Sequence, residues 1–552
     1  MEPNDPRLTL GRFLGDVAAR HCERTAVLSE DRSLSYRELE AEARLLARAL
    51  VGKGVVKGAR VALLMANRPE WLVAAYAVGM LGAVLVPVNT FAEADELDFI
   101  LRHGDASLLL AQSELLSHRY LETLEERHPE LAGGEAGRLR IPALPQLRAV
   151  VGLDVSQARG GVEPWSALLA CAEGVDDAML DALIEEVEPS DDALIIYTSG
   201  STAQPKGVLH SQRTPVLQAW RFRDFLDFGP EDRVYTAYPF FWTAGIAMSI
   251  GATLAAGGCL LVEQHFEPGA ALEMIEAQRA TSVHAWPHQQ KALGEHESAA
   301  HRDLSSVRKV DFSSPLASLA GVEEDVYGVG ASYGLSETFT ITSAVPATAT
   351  REERRDNNGR PWPGMQMRIV DPESGAVREP GEAGEIAVKG PCLMHGYQKV
   401  LPEHVFDADG YFRTQDGGSL DRDGLLHWTG RLSNLIKTGG ANVSPVEIQT
   451  TLDGHPEVKA ALAVGVGHPT LGEIVVLCAV PVEGADPDEA AVRAWLRKRL
   501  AVYKVPRRVL FFASDELDYT ANQKIRAEPL REAALARLAA ESAVVEGYRY
   551  GA

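Results

Sequence analysis

The chain has 552 residues, of which 46% are hydrophobic and 24% are charged, and its formal net charge at pH 7 is −23. A chain of this length exceeds what one hydrophobic core supports, so we expect at least two domains. The strongly acidic balance argues against broad binding to nucleic acids or anionic membranes, because both repel a negative surface.

The N-terminal third of the chain predicts alternating helices and strands. Tyr36–Leu50 has the apolar spacing of an amphipathic helix, and Arg60–Met65 is a short apolar run typical of a strand. This alternation favours parallel strands with covering helices. The region Gly133–Gly161, rich in glycine, proline and arginine, is predicted to be a surface excursion.

One segment is long and apolar enough to require a membrane test. Trp71–Val88 carries no charged residue and just reaches spanning length. Gly79, Gly82 and Pro87 interrupt it, and Val84–Val88 has the pattern of a buried strand. We therefore predict a buried helix that runs into a strand, and no transmembrane segment.

The pattern changes twice in the C-terminal half. Between residues 359 and 390, short apolar runs such as Met367–Val370 and Glu385–Val388 alternate with turn residues, which predicts an antiparallel β subdomain. After Arg431, helices and strands are predicted over Pro445–Leu452, Ala460–Val466, Val475–Val482, Asp488–Leu500 and Val509–Phe512. We expect an α/β fold with a large domain over residues 1–432 and a small α+β domain over 433–552.

The cysteines and the N-terminus indicate a cellular compartment. The cysteines are scattered, without CxxC pairs or metal-ligand spacing, at Cys22, Cys171, Cys259, Cys392 and Cys478. This spacing disfavours a disulfide framework or a structural metal. Residues 1–18 do not resemble a secretory signal. We expect a cytoplasmic protein.

A hydroxyl-rich loop follows the apolar run Ala193–Ile196. Its residues are Tyr197, Thr198, Ser199, Gly200, Ser201, Thr202, Ala203, Gln204, Pro205, Lys206 and Gly207. Hydroxyls and backbone N–H groups suit phosphate oxygens, and Gly200 permits close backbone approach. Lys206 supplies a mobile positive charge and is a candidate catalytic residue. The loop lacks the GK[ST] end of a Walker A motif.

This loop closely resembles the signature loop of the adenylate-forming superfamily, which contains acyl-CoA synthetases, peptide-synthetase adenylation domains and luciferases. Ala203 stands where the family usually has glycine. Further matches follow in the family's order and cover nearly the whole chain. The resemblance implies that Mg-ATP activates a carboxylic acid as its acyl-adenylate, and that a mobile C-terminal domain then helps transfer the acyl group.

A second motif resembles YGxTE and runs through Tyr333, Gly334, Leu335, Ser336 and Glu337. By this resemblance Tyr333 stacks near the adenine, Ser336 contacts phosphate, and Glu337 binds Mg²⁺ and contributes to catalysis. A carboxylate suits a hard cation that neutralises the departing pyrophosphate. We also include Ser332 in the ATP site.

A third motif, Thr414-Gln415-Asp416 followed by Arg431, resembles TGD…GR, with Gln415 in place of glycine. The resemblance implies that Asp416 accepts hydrogen bonds from the ribose hydroxyls, as acidic residues often do. Arg431 would donate to ribose or phosphate.

Near the C-terminus, residues 520–525 resemble TxxGKxxR, with Gln523 in place of glycine. The resemblance implies that Lys524 is catalytic and bridges the attacking carboxylate and the α-phosphate of ATP. Such a charge should matter because the step brings two anions together. Ser433 stands at the interdomain hinge, where Asp or Lys is usual.

Two segments point to the acceptor. Residues 436–445 resemble the loop that reaches the active site when the thioester forms. There Gly439 and Gly440 would admit the pantetheine arm of CoA, and Lys437 would contact the nucleotide; a simple glycine hairpin is the alternative. His265 stands where CoA ligases often carry a basic residue, and it is either a CoA contact or a surface residue.

The acyl pocket is predicted to be mainly apolar. Aromatic and small residues would line it: Phe241, Trp242, Gly245, Trp286 and Gly334. The alternative for the aromatic residues is that they belong to the hydrophobic core. We find no charged residue at the positions where a peptide synthetase grips the ammonium group of an amino acid. We therefore favour fatty, aryl or polycyclic acids.

The preferred hypothesis is an acyl-CoA ligase that uses ATP, Mg²⁺ and CoA. The main alternative is a stand-alone adenylating enzyme that passes the acyl group to an amine or a carrier protein. A non-catalytic acyl or nucleotide sensor is a third alternative, raised by the departures at Ala203, Gln415, Ser433 and Gln523. The partners expected are the carboxylic acid and CoA, with no nucleic acid, and a homodimer is left open.

Overall fold

The computed structural model describes residues 5, 7–198, 205–432, 436–452, 454–513, 516 and 527–551. The α-helices within these ranges are Leu10–His21, Tyr36–Gly52, Pro69–Met80, Ala94–His103, Tyr120–Arg127, Pro129–Ala132, Trp165–Ala170, Asp177–Glu185, Arg213–Phe225, Ala252–Ala256, Pro268–Ala277, Pro287–Glu295, Pro315–Leu319, Pro445–Leu452, Glu489–Arg497 and Ala527–Ala540. A π-helical segment, Gly245–Gly251, leads into the helix Ala252–Ala256.

Two mostly parallel sheets form the layers of the large domain. The first has the spatial order Gly396–Tyr397, Lys206–Ser211, Asp192–Thr198, Val84–Pro87, Arg60–Leu64, Leu108–Ala111, Ala149–Gly152 and Val162–Pro164. The second has the order Ser282–His284, Arg233–Thr236, Cys259–Val262, Thr25–Leu28 and Ser33–Ser35. The central strands are buried and apolar because helices cover both faces, as the alternating sequence pattern predicts.

Antiparallel sheets complete the large domain. One contains Ser332–Leu335, Thr340–Ala344 and Arg360–Pro361. The other contains Gln366–Val370, Gly384–Lys389, Phe412–Leu420 and Leu426–Arg431. The second sheet confirms the antiparallel β subdomain predicted from the short apolar runs after residue 359.

The small domain has its own sheet and its own core. The strands lie in the order Ala441–Val443, Ile436–Thr438, Gly472–Pro481 and Val458–His468, and Arg508–Phe511 pairs parallel with Gly472–Pro481. A short hairpin of Val544–Val545 and Tyr548–Arg549 lies near the end. Two hydrophobic clusters form entirely from residues beyond 435, so this part buries a core without the large domain. Every helix and strand predicted after Arg431 is confirmed, with shifts of a few residues at the ends.

The predicted surface excursion over Gly133–Gly161 is wrong in its centre. Ala149–Gly152 is a buried strand that pairs parallel with Leu108–Ala111. Leu139, Ile141 and Leu144 are also buried beneath it. A four-residue strand between turn residues gives little signal in the sequence. Its burial depends on pairing with a strand that is distant in sequence.

The apolar segment Trp71–Val88 lies inside the large domain. It forms the buried helix Pro69–Met80 and the buried strand Val84–Pro87, as predicted. Over the residues that the structure describes, no helix combines the length and the apolar character needed to cross a membrane.

Gln415 occupies a left-handed backbone conformation, with φ of 59°. Its side chain is exposed, and glycine is usual here in the related motif. A residue with a Cβ costs about 1–2 kcal/mol in this region, which exceeds the ~0.5–1 kcal/mol entropic cost of glycine. We expect Gln415→Gly to raise the free energy of unfolding by ~0.5–1 kcal/mol. Denaturant unfolding would measure the change, and Gln415→Ala, which keeps the Cβ, should give no such gain.

Candidate active site

The predicted phosphate loop joins two paired strands. Thr198 ends the strand Asp192–Thr198, Lys206 begins the strand Lys206–Ser211, and the two residues are antiparallel partners. The loop between them is therefore anchored at both ends on the large sheet. Ser199, Gly200, Ser201, Thr202 and Ala203 lie outside the described residues, and their phosphate contacts stay predictions.

Tyr397 links two of the predicted catalytic residues. The Lys206 ammonium lies 5.1 Å from the centroid of the Tyr397 ring. The Tyr397 hydroxyl donates a hydrogen bond of 2.7 Å to Glu337 Oε1. Sequence analysis did not single out Tyr397, because nothing in the Gly-Tyr pair itself signals contact with two distant motifs.

A buried histidine fixes the backbone beside Glu337. His210 Nε2 donates a hydrogen bond of 2.8 Å to the Ser336 carbonyl. Burial lowers the pKa of His210 to about 3, so the imidazole is neutral at physiological pH. The segment that carries Ser336 and Glu337 is therefore held by a fixed, uncharged donor.

The position of Glu337 is compatible with coordination of Mg²⁺ in a nucleotide complex. Within the described ranges, no group of three or more His, Cys, Asp or Glu side chains is placed to hold a metal ion. Mg²⁺ bound with a nucleotide usually takes one or two protein carboxylates, and phosphates and waters complete its shell. A single carboxylate near the phosphate loop suits that arrangement, whereas an all-protein metal cage would need more ligands.

The predicted adenine and ribose residues lie together. The Tyr333 hydroxyl donates a hydrogen bond of 2.9 Å to Asp416 Oδ2, and both side chains are buried. Asp416 is the antiparallel partner of Arg431, whose side chain lies outside the described part of the structure. The Ser332 hydroxyl donates instead to the Val329 carbonyl, at 2.9 Å.

A first cavity of about 240 Å³ lies beside these motifs. Its walls include these residues of the predicted ATP site, acyl pocket and glycine loop: Thr198, Trp242, Trp286, Gly334, Ser336, Lys437 and Gly440. A Cβ on Gly334 would lie 1.9 Å from the Thr340 carbonyl oxygen, so only glycine fits against that strand. The cavity therefore joins the predicted nucleotide and acyl residues in one space.

A second cavity, of about 320 Å³, adjoins the first. The two share Trp242, Trp286, Ala441 and Tyr503. Phe241, His265 and Gly439 line only the second cavity. Phe241, predicted for the acyl pocket, thus lies in the same cavity as His265 and Gly439, two of the three predicted CoA residues.

Three further residues of the second cavity escaped the sequence analysis. Tyr503 and Arg507 come from the small domain, and Glu263 follows the strand Cys259–Val262. The Tyr503 ring meets the Trp242 ring edge-on, with 6.1 Å between centroids. The only available signal was the Tyr-Lys-Val-Pro-Arg-Arg string, whose basic residues resemble an ordinary solvated surface.

The predicted glycine loop is a hairpin whose tip lies between the cavities. Its strands are Ile436–Thr438 and Ala441–Val443. Gly439 and Gly440 have φ of 56° and 83°, in the left-handed region that favours glycine. A Cβ on Gly440 would lie 2.6 Å from Trp286 Cε3, so the hairpin backbone packs directly on the indole.

The remaining predicted residues divide into two groups. Gly245 begins the π-helical segment, and a Cβ there would lie 2.2 Å from the Pro239 carbonyl oxygen, which gives this glycine a packing role. The catalytic candidate Lys524 and the hinge candidate Ser433 lie outside the described residues, and their roles stay predictions.

Glu263 carries an unusual carboxyl group in the second cavity. Burial raises its pKa from the ordinary value of 4.5 to about 7, although the Tyr235 hydroxyl donates to it at 2.7 Å. The folded protein therefore keeps a proton that the unfolded chain releases above pH 4.5. The stability contributed by this proton is complete below that pH and is lost as the pH rises through about 7.

We expect Glu263→Gln to be more stable than the natural protein at pH 8.5, because the amide needs no buried charge. The difference should shrink towards pH 5.5, where the folded carboxyl is neutral. Thermal unfolding of both proteins at the two pH values measures this, and a pH-independent difference would contradict it.

Comparisons with known proteins identify relatives that match nearly the whole chain. A feruloyl-CoA synthase from Amycolatopsis sp is 33% identical over 511 residues, or 91% of this chain and 94% of the relative. An indoleacetate–CoA ligase from Aromatoleum aromaticum is 31% identical over 531 residues, or 95% and 98%. The solved structure of an amide bond synthetase from Marinactinospora thermotolerans has a TM-score of 0.74 at 28% identity, covering 95% of this chain and 99% of its own.

The two-part fold and the similarity over the whole chain define an adenylate-forming enzyme. The family model for AMP-binding enzymes matches residues 14–398, and the model for the AMP-binding enzyme C-terminal domain matches residues 447–524. The chain belongs to the family of AMP-binding enzymes. The predicted superfamily, fold class and enzyme class, an AMP-forming ligase, are confirmed.

Proposed function

We propose that the protein is an acyl-CoA ligase that converts a hydrophobic carboxylic acid, ATP and CoA into acyl-CoA, AMP and pyrophosphate. The observation that carries the proposal is the position of the glycine hairpin. Its tip packs on Trp286 where the two cavities meet. A narrow thiol arm in the second cavity would reach the acyl group in the first at this point.

In the first half-reaction, an oxygen of the acid attacks the α-phosphorus of ATP. The new O–P bond forms as pyrophosphate leaves with the electron pair of the broken bond. Lys206, Thr198 and Ser336 would hold the phosphates, Asp416 would hold the ribose, and Lys524 would bring the two anions together. Mg²⁺ bound at Glu337 would neutralise charge on the departing pyrophosphate.

In the second half-reaction, the thiol sulfur attacks the acyl carbonyl carbon. The C–S bond forms, AMP leaves with the electrons of the C–O bond, and the thiol proton passes to solvent. We propose that residues 433–552 form the mobile domain, that Ser433 is its hinge, and that rotation withdraws Lys524 and presents the hairpin. Among the residues of the second cavity, Arg507 and His265 are basic and suit the phosphates of CoA.

The aromatic side chains around the first cavity support the substrate class that we propose. The ring planes of Trp242 and Trp286 make an angle of 69°, with 6.2 Å between the ring centroids. The Tyr238 ring packs against Trp286, with 4.4 Å between the ring centroids. Flat aromatic walls favour a flat apolar acid. The named relatives act on feruloyl and indoleacetate groups, so an aryl acid is the substrate class that we propose.

An amine acceptor is the second candidate. The amide bond synthetase noted above shares the fold, and Glu263 places a carboxyl group on the wall of the second cavity. Above pH 7, where this carboxyl group is mainly ionised because its pKa is about 7, it suits an amine or ammonium better than the phosphates of CoA. The acceptor therefore has to be decided by product analysis.

The test is mass-spectrometric product detection. The protein would be incubated with Mg-ATP and a panel of aryl, fatty and steroid-like acids, together with CoA or with a primary amine. Acyl-CoA that requires both ATP and CoA is the expected product. Acyl-adenylate and AMP without thioester would overturn the CoA assignment, and amide formed faster than from free adenylate would establish the second candidate.

A further inference from the structure

Lys504 is a buried cation at the junction of the two domains. Its side chain is 1% exposed. The ammonium lies 3.0 Å from Glu447 Oε1, on the small-domain helix Pro445–Leu452, and 3.2 Å from Glu96 Oε1, on the large-domain helix Ala94–His103. One charge therefore bridges the domains.

Two carboxylates share the Lys504 ammonium away from water. Glu447 and Glu96 are only 10% and 13% exposed. Burial raises the pKa of Glu447, and the nearby ammonium opposes this rise. A buried ion that loses a partner is costly, so the triad strongly favours the domain arrangement in which both carboxylates reach Lys504.

The residue before Lys504 lies in the active site. Tyr503 and Lys504 share the short turn Val502–Lys504, so their positions are coupled through the backbone. The Tyr503 ring packs edge-on against Trp242 and against Phe91, with centroids 6.1 and 6.4 Å away. It lines both cavities at their junction. Displacing Lys504 would therefore move a wall of the passage to the acyl site.

We propose that Glu96, Lys504 and Glu447 form an interdomain latch that holds the small domain in the acyl-transfer arrangement. Glu96 and Lys504 are positioning residues for the transfer step, since they act through Tyr503 and the glycine hairpin. The role in transfer rests on the proposed two-step reaction. In the proposed two-step reaction, adenylate formation takes place before the small domain reaches the helix Ala94–His103, so we expect the latch to have no part in that step.

The test is Glu96→Gln, which removes the only interdomain carboxylate of the triad. Lys504 keeps Glu447, so the small domain retains its internal ion pair and its fold. We expect single-turnover transfer from preformed acyl-adenylate to CoA to fall at least about tenfold. The rate of adenylate formation, followed by pyrophosphate exchange, should stay within about twofold. Asp95→Asn is the matched control, because Asp95 lies in the first turn of the same helix but pairs with Arg127 inside the large domain.

Hydrogen exchange supplies a readout that needs no acceptor. Glu96→Gln should speed exchange in the segment 502–505 and in the glycine hairpin, whereas Asp95→Asn should not. Unchanged exchange in Glu96→Gln would overturn the latch, as would an unchanged transfer rate in an active ligase. If the natural protein makes adenylate but no thioester, the CoA assignment fails, and hydrogen exchange still decides whether the latch exists.

Discussion

Replacing Lys524 with alanine is expected to slow adenylate formation about 10²–10³-fold, the usual loss when one electrostatic donor is removed from a transition state. The carboxylate and the α-phosphate repel each other, and the resemblance assigns Lys524 to bridge them. Pyrophosphate exchange measures the step. Transfer of the acyl group from supplied adenylate to CoA should hardly change, because the proposed domain rotation withdraws Lys524 before that step.

Lys498→Ala is the control for this prediction. Lys498 is also in the small domain and is exposed beyond the helix Glu489–Arg497. It should leave both half-reactions unchanged. If Lys524→Ala left adenylate formation intact and the protein bound acid and nucleotide without turnover, the sensor hypothesis would replace the ligase.

Most of the fold is predictable because its signals are local. The helix Tyr36–Gly52 shows its apolar spacing in the sequence, and the small domain alternates strands and helices at ordinary lengths. Ala149–Gly152 was missed because four apolar residues between turn-rich stretches become a strand only beside Leu108–Ala111. The tertiary partner, not the local pattern, decides that element.

The residues of the candidate site also divide into those that the sequence predicts and those that it does not. Glycines that a motif places, such as Gly334 and Gly440, are also the glycines that packing requires, since a Cβ at either position would collide with a neighbour. Tyr397, Tyr503 and Glu263 were missed because each reaches the site from a segment without a motif. Their participation depends on the angle between sheets and domains, which one sequence does not reveal.

Gly440→Ala is expected to slow acyl transfer to CoA by about 10–100-fold while leaving adenylate formation unchanged. The added Cβ would lie 2.6 Å from the Trp286 ring, and the residue would keep a left-handed φ of 83°. The left-handed backbone alone costs about 1–2 kcal/mol, and the contact with the indole adds to it. The hairpin would have to withdraw from the junction of the two cavities, which is the path that we propose for the thiol.

Gly484→Ala separates the cost of the left-handed backbone from the contact between the added Cβ and the indole. Gly484 is also in the small domain and has φ of 81°, but no atom lies within 4 Å of an added Cβ. It should lose a similar amount of stability and transfer the acyl group at the natural rate. Single-turnover transfer and thermal unfolding, measured on both variants, test this. Equal loss of transfer in both would assign the effect to general destabilisation, whereas loss in Gly440→Ala alone requires the hairpin to shape the path of the thiol.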